Sequence, residues 1–122
     1  MKRMNAEKTI ARISSIGSAL PLIWLSGVFI FYIRARIYLG YWPHYATPDP
    51  KSLPFVFHHW ILMITVFVLF STLLILPIFW LVQFKFFKLS IRKQMLSYGI
   101  GVISLAITLN TSGFNFVTWF LD

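Results

Sequence analysis

Three stretches of the chain contain no Asp, Glu, Lys or Arg: residues 13–33, 52–84 and 94–121. A helix rises about 1.5 Å per residue, so roughly 20 residues cross the roughly 30 Å hydrocarbon core of a bilayer, and each stretch is long enough to do so. A soluble fold would have to cover these stretches with polar surface. With 58% hydrophobic residues and a mean hydropathy of +0.76, the chain has too little of it. The predicted class is therefore an all-α integral membrane protein, multi-pass, in a plasma or inner membrane. Residues 1–122 form one domain with transmembrane helices over about 13–33, 59–82 and 95–120. An outer loop of about 34–58 and a basic inner loop of about 83–94 connect them. Pro54 argues for the late start of the second helix.

The distribution of charge sets the expected orientation. Lys2, Arg3, Lys8 and Arg12 precede the first span, Arg34, Arg36 and Lys51 lie in the first loop, and Lys85, Lys88, Arg92 and Lys93 lie in the second. Positive charge is retained in the cytoplasm, so the N-terminus and the second loop are expected inside, eight bases against three, and the C-terminus outside. The first span is longer than a secretory signal core and is not followed by a small-residue cleavage pattern, so it reads as a retained anchor. A net charge of +8 can signal nucleic acid, but here the bases gather at span ends, which points to anionic lipid headgroups instead. Arg34, Arg36, Lys51, Lys85, Lys88, Arg92 and Lys93 are the expected headgroup contacts. Pro21 and Pro77 both fall about 10 Å from the inner boundary, where paired kinks could open a hinge.

The third span carries a seam. Ser97, Gly101, Ser104, Thr108, Thr111, Asn115 and Thr118 follow one another at alternating steps of four and three, which places all seven within a sector of about 100°. Helices in lipid associate through close packing of small residues and hydrogen bonds, so this seam is expected to face protein, either the other spans of the chain or a second subunit. Asn110 projects almost opposite it and is expected to meet a polar group on another face. The acceptor pattern Asn110-Thr111-Ser112 lies at hydrocarbon depth, where glycosylation is excluded on physical grounds.

The candidate chemistry collects in the outer loop. All three histidines (His44, His58, His59), Asp49 and the aromatic residues Tyr38, Tyr41, Trp42, Tyr45 and Trp60 lie there, among Pro43, Pro48, Pro50 and Pro54. The prolines stiffen the segment, which suits a docking surface or a lid over the span ends. The aromatic residues also match the belt that anchors spans at an interface. His44, Asp49, His58 and His59 are the candidate catalytic residues for acid–base chemistry on a lipid. Adjacent His58 and His59 point about 100° apart on a helix and cannot readily share an ion, so no metal site is predicted.

Nucleophilic triads, glycine loops for phosphate and paired carboxylates are absent. The only acids are Glu7, Asp49 and Asp122, none of them within a span, and there is no cysteine. The sequence thus predicts a small non-catalytic accessory, assembly or structural subunit of a membrane complex. Its partners are the bilayer and other membrane subunits or itself, not nucleic acid, and no cofactor is predicted. The rival readings are an enzyme or a haem, quinone or lipid-site protein built on the outer-loop histidines, and a homo-oligomeric channel or transporter.

Overall fold

The structure, a computed structural model, describes residues 2–44, 47–87, 90–110 and 116–121. These residues are all-helical, with no strand among them. The main elements are α1 (Lys2–Leu39), α2 (Val56–Val82), α3 (Arg92–Asn110) and a short α4 (Phe116–Leu121). A single 3₁₀ turn, Pro50–Ser52, lies between α1 and α2, and a π-helical turn, Gln83–Phe87, prolongs α2. By length and composition two helices can cross a membrane, over Met4–Leu39 and Val56–Phe86.

Each boundary has a local cause. The first helix runs on past Arg34 and Arg36 and stops only at Gly40, whose φ of +80° is costly for any other residue and whose N–H donates to the Arg36 carbonyl at 3.1 Å. The second helix begins directly after Pro54-Phe55, so His58 and His59 sit in its first turn, and residues 40–55 connect it to α1. The third helix is described over Arg92–Asn110 and a short helix over Phe116–Leu121, within the expected span of about 95–120, and residues 111–115 lie outside the described residues. The Asn110 side chain donates back to the Ala106 carbonyl at 2.7 Å.

The central element is α1, which packs against α2, α3 and α4. Its inward stripe is Ser14, Ser18, Pro21, Trp24, Val28, Phe31 and Ala35, all buried and spaced by three or four residues. Close approach is possible because glycines stand at the crossings. A methyl group at Gly27 would lie 2.7 Å from Leu62 Cδ2, and one turn away the Trp24 indole N–H donates to the Leu62 carbonyl at 3.0 Å. A methyl group at Gly101 would lie 2.8 Å from Pro21 Cβ and 3.3 Å from the Leu22 nitrogen. Hydroxyls on the apolar faces bond within their own helix: Ser26 donates to the Leu22 carbonyl and Ser71 to the Phe67 carbonyl, each at 2.8 Å.

The two ends of the bundle are held differently. At the end near the N-terminus, Ser14 donates to Gln94 Oε1 at 2.7 Å, and the Gln94 and Gln83 amides face each other at 3.3 and 3.4 Å. This node ties α1, the π-helical turn and α3 together. At the opposite end the cement is aromatic: Phe31 lies within 6 Å, ring centre to ring centre, of Phe55, His58, His59, Trp119 and Phe120.

Candidate functional site: the 40–55 lid and its aromatic cage

The 40–55 loop folds down onto the helix ends and is fixed there at three points. Tyr32 on α1 donates its hydroxyl to the Pro43 carbonyl at 3.1 Å, and Trp119 on α4 donates its indole N–H to the Pro48 carbonyl at 2.8 Å. Between them His44 and Thr47 exchange backbone hydrogen bonds at 2.9 and 3.1 Å, closing a tight turn. The third anchor is apolar, since Pro43, Pro50 and Leu53 are buried. Proline carbonyls serve as the anchoring acceptors. Lacking an N–H, these residues still offer a carbonyl, and the chain around them cannot fold into a competing helix.

The cations of this end lie on aromatic faces. The Arg36 guanidinium sits 5.4 Å from the centre of the Trp42 ring, which stacks on Tyr32 at 5.3 Å, giving a three-layer stack. Arg34 lies 4.5 Å over Phe55 and brings Nη1 to 3.3 Å from His58 Nδ1. Guanidinium can only donate, so His58 Nδ1 is the acceptor and its proton resides on Nε2.

The four candidate catalytic residues have four separate surroundings. Exposed His44 belongs to the tight turn, its ring 6.2 Å from that of Tyr41. Asp49 is a turn former: its Oδ1 accepts the Lys51 N–H at 2.8 Å and its carbonyl accepts the Ser52 hydroxyl at 2.7 Å. His58 faces Arg34. His59 turns inward, 1% exposed, into a cage of Phe31, Trp60 and Phe120, the last at 4.7 Å. Neither of its ring nitrogens has a hydrogen-bond partner among the described residues. No group of three His, Asp or Glu side chains suited to a metal ion occurs among the described residues.

The remaining predicted positions divide as follows. Tyr38, Tyr41, Trp42 and Trp60 are exposed at the end that carries the 40–55 loop, where Lys51 also lies on the surface, and Lys85, Arg92 and Lys93 are exposed at the opposite end. In the seam, Gly101 is buried against α1 while Ser97, Ser104 and Thr108 are half-buried. Thr118 lies on α4 and so is not a member of the same helical face. Asn110 is exposed and bonds its own helix, not a polar partner on a second face. Tyr45, Lys88, Thr111 and Asn115 lie outside the described residues. The sequence reading missed the Ser14–Gln83–Gln94 node and the roles of Tyr32, Phe31 and Trp119. One signal for the node was available: the chain's only two glutamines bracket its basic loop.

Comparison with protein-family models, with curated proteins and with solved structures gives no match.

Proposed function

We propose that the protein is a small accessory or assembly subunit of a membrane complex, held in the bilayer by three spans, with the basic loop inside and the 40–55 lid outside. The lid is the docking surface, and its partner is another membrane subunit that offers acidic and aromatic groups at the outer headgroup level. The observation that carries this reading is the way the lid is built. Two side-chain hydrogen bonds from different helices fix its backbone, while Tyr41 and Trp42 remain 45% and 50% exposed. Ordering a surface before it meets a partner lowers the entropy cost of binding, and Tyr, Trp and Arg are the residues that dominate such contacts. Three bases against the single acid Asp49 supply the charge preference.

In this reading the seam of α3 serves the fold and the lid serves the partner. The test is the mass of the assembly extracted gently from native membranes. Tyr41→Ala with Trp42→Ala should convert a large species to one of the monomer's mass, with the thermal midpoint of the purified protein retained within a few degrees. An assembly of unchanged mass in that double variant rejects the lid as a docking surface.

A further inference from the structure

A wide opening lies at the end opposite the lid. A cavity of about 1020 Å³ runs between the π-helical turn and the first three turns of α3, at the upper end of the range for ligand pockets, about 300–1,000 Å³. Leu96, Ile100 and Ile103 wall it on α3, and all three are more than half exposed. A smaller cavity of about 320 Å³, toward Pro77 and Trp80, shares Phe84, Ile91 and Met95 with it. Those three side chains therefore form a ridge between two neighbouring apolar channels.

The larger channel has a cationic end. Lys85 and Arg92 line the larger cavity where the chain leaves the bundle, and Ser90 adds a hydroxyl donor beside them. Its described lining contains no acid. From Arg92 to Ile103 the helix rises about 16 Å, which is the depth of one leaflet, about half of the roughly 30 Å core. Positive charge at headgroup level, two apolar channels and a depth of one leaflet together describe the shape of a single lipid class.

We propose that this cavity is a binding site for one anionic phospholipid, its phosphate held by Lys85, Ser90 and Arg92 and its two acyl chains lying on either side of the Phe84–Ile91–Met95 ridge. The inference needs only that the chain resides in a bilayer, and it stands apart from the docking role of the lid.

Gly99 allows a clean test. It lines the cavity, and a methyl group there would meet no atom within 4 Å, so a large side chain enters open space without displacing protein. Purified protein in detergent is titrated with phosphatidylglycerol or phosphatidylcholine and the bound lipid counted by native mass spectrometry. One phosphatidylglycerol should be retained in preference to phosphatidylcholine. Lys85→Gln with Arg92→Gln should reduce that retention about 30-fold, the equivalent of two headgroup-level cations, and leave phosphatidylcholine unaffected. Gly99→Phe should reduce both lipids without lowering the thermal midpoint. Equal retention of the two lipids, retention indifferent to the charge variants, or displacement by inorganic phosphate as effective as by the lipid would each overturn the proposal.

Discussion

Replacing His59 by phenylalanine should make the protein more stable. The imidazole is 1% exposed, and neither ring nitrogen finds a partner among the described residues. A neutral imidazole carries one donor and one acceptor, and each buried polar group left unpaired costs about 1–3 kcal/mol. A phenyl ring removes both penalties and keeps the aromatic contacts with Phe31 and with Phe120, whose ring centre is 4.7 Å away. Its slightly larger volume returns about 1–3 kcal/mol of overpacking, so the net gain is on the order of 1–3 kcal/mol. For a chain of this size that corresponds to a rise in thermal midpoint of roughly 5–10 °C, read by tryptophan fluorescence in a fixed detergent. His59→Ala, which leaves a cavity instead, should fall by a comparable amount. A phenylalanine variant that melts below wild type would mean that the imidazole nitrogens hold a polar partner in the native protein, and the cage would then have to be read as a binding site rather than as packing.

Two further outcomes follow from the helix crossings. Gly101→Leu, with Pro21 Cβ only 2.8 Å from the first added carbon, should force α1 and α3 apart and lower the midpoint by at least 5 °C, at about 1–3 kcal/mol, whereas Gly99→Ala two residues earlier should raise it through helix propensity alone, by about 1 kcal/mol. Equal effects at the two glycines would refute the assignment of α3's packed face. Gln94→Ala leaves Ser14 and Gln83, both 0% exposed, without their mutual acceptor and amide partner, and should cost about 2–5 kcal/mol in the same unfolding assay; an unchanged midpoint would show that this node is not what holds α1, the π-helical turn and α3 together.

The charge-free stretches gave away the helices that can cross a bilayer, and the Pro54 argument came within three residues of the start of α2. Arg34 and Arg36 follow the first charge-free stretch, and α1 continues past them to Leu39, each guanidinium lying over an aromatic ring supplied by the following loop, Phe55 and Trp42. The inward stripe of α1 was hidden in the sequence. In water a buried helix face announces itself by hydrophobicity, but a helix in lipid is apolar all round, so period reveals nothing unless one face is small or polar. Ser14 and Ser18 satisfy that condition, while Trp24, Val28 and Phe31 do not differ in character from the exposed apolar residues beside them.

The same contrast explains why the chemistry was harder to read than the fold. His58 and His59 are adjacent in sequence and turn about 100° apart on the helix, which was foreseeable. What each then meets was not, because Arg34 comes from α1 and Phe120 from α4. On α4, Phe120 packs onto Trp24 and Trp119 bonds the Pro48 carbonyl. The stretch that looks most like a third span therefore supplies both the wall of the His59 cage and the tie that fixes the lid.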